Sequence, residues 1–183
     1  MSLSGGFTNY VRAGQFHYGK YPTVERKKAA GGSGSTFEIP IGLVLAKDPG
    51  LTTTELVGIA KANAKRPFFV SLGDEFKTNS GIAYPIGTNN LTDLAKKDTQ
   101  TSVKVLSKGY VAILVDGVCL PDDPLVVTDG TGGTILGHLK AGTLADGDKI
   151  FGRFISLPGN DGAHNVRAST SAIGQVAWAS FPW

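Results

Sequence analysis

From residue 37 onward the chain alternates short apolar runs with breaks rich in glycine and aspartate. Residues 37–46 form a strand candidate rich in Ile, Val and Leu, with Pro40 near its start, where a strand tolerates it. Residues 68–72 form a second strand candidate. Val103 and Val105 flank Lys104 in the alternation of a half-buried strand. After Lys108-Gly109, residues 110–115 are nearly all apolar, the pattern of a strand covered on both faces. Residues 125–128, 134–139 and 149–156 predict further strands, and residues 172–180 predict one that closes a sheet. Two stretches are ambiguous. Residues 54–64 read either as a helix capped by Thr54 or as a short strand with a bulge at Gly58. Residues 90–97 suit one or two helical turns.

The breaks have their own signature. Asp116-Gly117, Asp129-Gly130, Asp146-Gly147 and Asp161-Gly162 recur every 13 to 17 residues beside apolar runs. Asp-Gly suits tight hairpin turns, because both residues tolerate positive φ. Glycine is high, 25 of 183 residues, without a collagen period, so the excess belongs to turns, bulges and loops. The expected fold is therefore mainly β: an antiparallel β-barrel or sandwich body with an extended N-terminal arm and at most one or two short helices. The arm and a Gly/Ser-rich linker occupy residues 1–35, and the β-rich body occupies residues 36–183.

Both ends are rich in aromatics. The arm carries Phe7, Tyr10, Phe16, Tyr18 and Tyr21, with Arg12 among them, ahead of the flexible run at residues 31–35. Aromatics bury much area at low entropic cost, so this arm either docks on a partner or packs on its own body. Trp178, Phe181 and Trp183 crowd the last residues, which predicts an ending held in the core or in a subunit interface, with the interface favoured.

Composition narrows the function classes. With 41% hydrophobic and 18% charged residues the chain is globular. The formal charge of +3 says little alone, but residues 1–35 are basic and residues 116–148 acidic. Arg26-Lys27-Lys28 offers only a weak, salt-sensitive contact to phosphates, so no specific nucleic-acid partner is expected. Cys119 lies between Val118 and Leu120, as a buried small hydrophobe would. The first residues lack the pattern of a secretion signal, and no apolar run reaches membrane-helix length. Synthesis in a cytoplasm and no membrane partner are the expectations, and Asn90-Leu91-Thr92 is a glycosylation sequon by pattern only.

Reactive chemistry is harder to find. The loop at residues 129–134 could cradle a phosphate but lacks a P-loop ending and leads into a predicted strand. His17, His138 and His164 are scattered, without metal-ligand spacing. The pairs Asp74-Glu75 and Asp122-Asp123 sit in polar loops, where both carboxylates stay ionised. No Gly-x-Ser-x-Gly elbow is present. The expectation is no enzyme, no cofactor and no metal.

Four stretches then carry a family resemblance: residues 56–62 (LVGIAKA), residues 101–116 with KGYVAILV, residues 141–151 (AGTLADGDKIF) and residues 172–178 (AIGQVAW). In pattern and order they resemble the capsid cement, or decoration, proteins of tailed bacteriophages. The likeness spans roughly residues 38–180 and leaves residues 1–35 uncovered. It implies a β-barrel or sandwich body, no catalysis, and assembly as a homotrimer on the virion's capsid exterior, bound to the major capsid protein. On that reading Phe7, Tyr10, Arg12, Phe16, Tyr18 and Tyr21 form one clamp, and Trp178, Phe181 and Trp183 a second. The alternatives are another virion structural protein (tail, baseplate or head-fibre module) or a carbohydrate-binding β module.

Overall fold

One 14-residue strand organises the molecule. The computed structural model describes residues 11, 13–16, 21–29, 41–47, 56–72, 102–158, 164–165 and 174–183. Among these the strands are β1 (Thr23–Ala29), β2 (Val44–Lys47), β3 (Leu56–Ile59), β4 (Phe68–Ser71), β5 (Ser102–Val115), β6 (Pro124–Val127), β7 (Leu139–Ala141), β8 (Ile150–Pro158), β9 (His164–Asn165) and β10 (Gln175–Phe181). A short 3₁₀ segment, Leu144–Lys149, precedes β8. The fold is mainly β, as the pattern of short apolar runs predicts.

The pairings close two rings that share β5. In the first, β5 pairs β4, then β2, β3 and β1 follow, and β1 returns to β5. Only the β1–β3 contact in this ring is parallel. In the second, β5 pairs β10, then β8, β6 and β7 follow, and β7 meets β5 again through Val115 and Leu139. Ring closure satisfies the backbone groups that an open sheet leaves at its edges. The short β9 pairs with β8 outside the rings.

β5 serves both rings because it changes face partway. Thr23 pairs with Lys108 and Val24 with Leu106, so Ser107 is an extra residue in the ladder. A one-residue bulge exchanges the two faces of a strand. Val105, before the bulge, packs with Leu45, Val57 and Phe69 in a small cluster. Val111, Ile113 and Val115, after it, point into the main core with Phe151, Phe154, Leu125 and Leu139. Gly109 follows the bulge at φ +134°, and a Cβ there would stand 3.1 Å from the Pro22 Cα.

The main core draws on both rings. Val44, Phe68, Val70 and Leu106 of the first ring join the same cluster as the second ring's interior. The Phe151 and Phe181 rings stack at 4.5 Å, and Phe68 lies tilted 6.1 Å from Phe151. Residues 110–115 read correctly as doubly covered: Val111, Ala112, Ile113 and Val115 are fully buried.

Several expectations are resolved or corrected. Residues 56–59 are a strand rather than a helix, and the ladder with β2 runs in regular register through Gly58, so the expected bulge is absent there. The strand predicted over residues 134–139 is instead a series of turns, and β7 begins only at Leu139, because Thr134, Ile135 and His138 are engaged in loop hydrogen bonds. The described Asp-Gly pairs do place glycine at positive φ: Gly117 at +89°, Gly130 at +75° and Gly147 at +53°. None of the three makes a two-residue hairpin. The connections are longer, and the aspartate side chains hold them. The possible helical turns at residues 90–97 and the pair Asp161-Gly162 lie outside the described residues.

The N-terminal segment lies partly on the body itself. Gly14 N–H donates to the Ala112 carbonyl at 2.8 Å, and Ala112 N–H donates to the Gln15 carbonyl at 2.7 Å. Phe16 bridges to Val111 and packs against the main core. Arg26, Lys27 and Lys28 sit in β1, which closes the first ring. The boundary near residue 35 lies outside the described residues.

Candidate functional site

Aspartates of the second ring use their carboxylates to hold loop amides. Asp123 Oδ2 accepts from Leu120 N–H at 2.7 Å, Asp129 Oδ1 from Thr131 N–H at 3.0 Å, and Asp146 Oδ2 from Thr143 N–H at 2.7 Å. Short acidic side chains satisfy turn amides in this way. The Thr131 amide and hydroxyl hold the Asp129 carboxyl below its usual range. The glycine-rich loop at residues 129–134 is thus bonded to itself, with Thr134 Oγ1 also donating to the Thr131 carbonyl at 2.7 Å.

Asp116 does the same work under cover. Its side chain is 1% exposed, at the end of β5. Oδ2 accepts from Ile135 N–H at 2.8 Å. Oδ1 accepts from Gly174 N–H at 2.8 Å and meets His138 Nδ1 at 2.8 Å. An ionised carboxylate only accepts, so Nδ1 carries the proton in this contact. Burial opposes ionisation of Asp116, but the bonds from His138, Ile135 and Gly174 outweigh it and hold the carboxyl below its usual range. His138 is anchored through its backbone as well: its N–H donates to the Ile135 carbonyl, and its carbonyl accepts from Thr128 N–H. Thr128 Oγ1 also donates to the Ile135 carbonyl. This buried acid–histidine pair joins the end of β5, the β6–β7 loop and the start of β10.

A histidine held by aspartate can orient a base for nucleophilic catalysis. Here both carboxylate oxygens are taken by backbone amides and the imidazole. The arrangement is a clasp between three chain segments. Sequence reading placed Asp116 in a turn and His138 among scattered histidines. The available signal was a lone acid ending a long apolar run and a lone histidine within Leu136-Gly137-His138-Leu139.

Cys119 is fully buried beside Asp123 and Asp116, and burial pushes its thiol up to about 11. A thiol that stays protonated at neutral pH is a poor nucleophile. Ser71 Oγ accepts from Leu43 N–H at 3.0 Å and donates back to the Leu43 carbonyl at 3.2 Å, which ties β4 to the residue before β2.

The expected clamp residues separate into three groups. Trp178 and Phe181 are 5% and 4% exposed; Phe181 joins Ala177 and Ala179 in the main core, while Trp178, out of phase with them along β10, is buried outside that cluster. The ending is tied down, as expected, with both residues buried within this chain. Trp183 is half-buried: its N–H donates to the Phe151 carbonyl at 3.0 Å, and the Arg153 guanidinium lies 4.3 Å from its ring centroid. Tyr21 is 89% exposed and has φ +48°, left-handed backbone that a bulky residue adopts at a cost. Phe16 packs inward, and Phe7, Tyr10, Arg12 and Tyr18 lie outside the described residues, as do His17 and Asp74-Glu75.

Charge divides between the rings. The described part of the first ring and its connections carries Arg26, Lys27 and Lys28 on β1, Lys47 on β2, and Lys104 and Lys108 on β5. Lys61, Lys65 and Arg66 add to these in the β3–β4 connection. Among the described residues these nine accompany one carboxylate, Glu25, and over the full sequence residues 1–115 carry a formal +6. After β5, six described aspartates (116, 122, 123, 129, 146 and 148) outnumber Lys140, Lys149 and Arg153, a formal −3. The Arg66–Asp148 pair, at 3.3 Å, joins the two territories. Lys27 pairs with Glu25 at 2.9 Å and lies 5.1 Å from the Phe69 ring centroid.

Among the described residues, no helix is long and apolar enough to cross a membrane, and no group of three or more His, Cys, Asp or Glu is placed to hold a metal ion. Comparison with known proteins finds no matching family model and no matching curated relative.

Proposed function

We propose that this protein is a noncatalytic capsid decoration protein of a tailed bacteriophage, a homotrimer on the virion exterior that bridges neighbouring major capsid proteins. One observation carries the reading. The four stretches that resemble decoration proteins fall on β3, on β5, on the 3₁₀ turn into β8, and on β10, and β5 pairs with β10 along seven rungs where the two rings meet. Closed rings suit a particle surface, because they offer no long unpaired edge to polymerise with crowded neighbours. Weak contacts repeated across a trimer add through effective concentration, so modest individual affinities can brace a shell.

In this reading Tyr21 and Trp183 provide accessible contact, with Phe7, Tyr10, Arg12 and Tyr18, while Trp178 and Phe181 act through stability. The test is mass measurement of the purified protein, free and after cosedimentation with empty shells of the major capsid protein from the same phage. A trimer that pellets with shells supports the reading, and a monomer that stays in the supernatant overturns it. A carbohydrate-binding module is the second reading, favoured by the outward Tyr21. Selective glycan-array binding lost in Tyr21→Ala would replace the capsid assignment.

A further inference from the structure

We infer that the first ring, built by β1 to β4 and the first half of β5, is the docking face of the protein, and that it takes an acidic protein surface. The inference rests on the proposed reading for the idea that the partner is a protein, and it adds which face docks and what chemistry the partner presents.

The argument starts from where the cations are. In the sequence they look like an arm and scattered single lysines. The fold gathers them, because β1 pairs with β5 and places Arg26 directly opposite Lys104 and Thr23 opposite Lys108. Like charges opposite one another in a ladder cost stability. Lys47 enters from β2, and Lys61 and Lys65 from the β3–β4 connection, all three exposed. Over the full sequence residues 1–115 carry 14 Lys and Arg against 8 Asp and Glu, a formal +6, and that excess gives a field that attracts anionic surfaces and orients the approach. The adjoining acidic ring turns the other end away, so the protein is electrically polarised along β5.

The same features distinguish the kind of anion. Seven of the nine cations are lysines, and of the two arginines Arg66 is engaged with Asp148. Planar, bidentate recognition favours arginine, so this lysine-rich set offers point-charge contacts and, to nucleic acid, only a sequence-independent one. A nucleic-acid duplex extending past the first ring would meet the aspartates of the second. A protein face no wider than the first ring avoids them. The protein's own acidic ring, at −3, matches only part of the +6 of residues 1–115, so a different, more acidic chain is the better complement.

The experiment uses the full chain on biosensor surfaces carrying poly(L-glutamate) or double-stranded DNA, at about 50 mM and about 300 mM salt. Two paired variants change net charge equally: Lys47→Glu with Lys61→Glu in the first ring, and Lys140→Glu with Lys149→Glu in the second. The expected result is salt-sensitive binding to poly(L-glutamate), weakened at least about tenfold by the first pair and about twofold or less by the second. Thermal melts check folding, and Lys47→Gln with Lys61→Gln replaces the first pair if that pair is destabilised. No binding by the wild-type chain, equal loss in both pairs, or stronger binding to DNA overturns the inference. None of these readouts involves a capsid, so failure of the decoration reading registers separately in the sedimentation test.

Discussion

At the residue scale, this protein uses aspartate to shape loops. Asp116 is the deepest example, accepting from two amides and an imidazole away from water. Asp116→Asn keeps the size but turns one acceptor into a donor facing N–H groups. It should cost about 1–3 kcal/mol in urea unfolding, the usual penalty for unmatched buried donors. The pH dependence follows from the same contacts. Asp116's carboxyl is held below its usual range in the fold, so its contribution is complete above the unfolded value, near 4, and is lost as pH falls through the lower folded value. Acid titration of the wild type should show that loss below about pH 4, and Asp116→Asn should flatten the curve in that window. Cys119, with its thiol pushed up to about 11, should resist iodoacetamide at pH 8 in the folded protein and react after unfolding.

At the scale of elements, close approach between strands leaves little room. In β8, a Cβ on Gly152 would run into the Ser180 carbonyl of β10 and crowd the Phe181 side chain. Because the obstacle is backbone, β8 and β10 would have to separate. Gly152→Ala should lower the melting temperature by several degrees, as a cost of about 1–3 kcal/mol implies. Phe181, stacked on Phe151, tests the core directly: Phe181→Ala should cost about 3–5 kcal/mol. β1 changes how the arm can be probed. Deleting residues 1–30 would remove β1 and leave β3 and β5 unpaired along the first ring. A deletion of residues 1–10 spares β1 and tests Phe7 and Tyr10 alone.

At the scale of the whole molecule, one strand belongs to two closed rings, and a single core crosses the boundary between them. The rings should therefore unfold together. One calorimetric transition is expected, with coincident loss of Trp fluorescence and β-sheet circular dichroism. Two separated transitions would show that β5 does not couple them. The electrical polarity described above is a property of this scale alone, since no single element carries it.

Much of this was readable along the chain. Short apolar runs marked β4, β5, β6, β8 and β10, because alternation and continuous burial depend on local side-chain order. The four resembling stretches also lie within one sequence, and positive φ at Gly117, Gly130 and Gly147 followed from the Asp-Gly pairs. Residues 134–139 misled because Ile135, Leu136 and Leu139 look like a strand, while the partners that hold the loop, Asp116 and Thr128, come from elsewhere. Trp178 and Phe181 misled for a related reason: apolar composition says that a residue is buried, and only the pairing of β10 between β5 and β8 says against what. The sequence by itself determined the β class, the principal strands and the total charge. The tertiary structure decided the double closure on β5, the Asp116–His138 clasp and the separation of charge, because each depends on contacts between residues far apart in the chain.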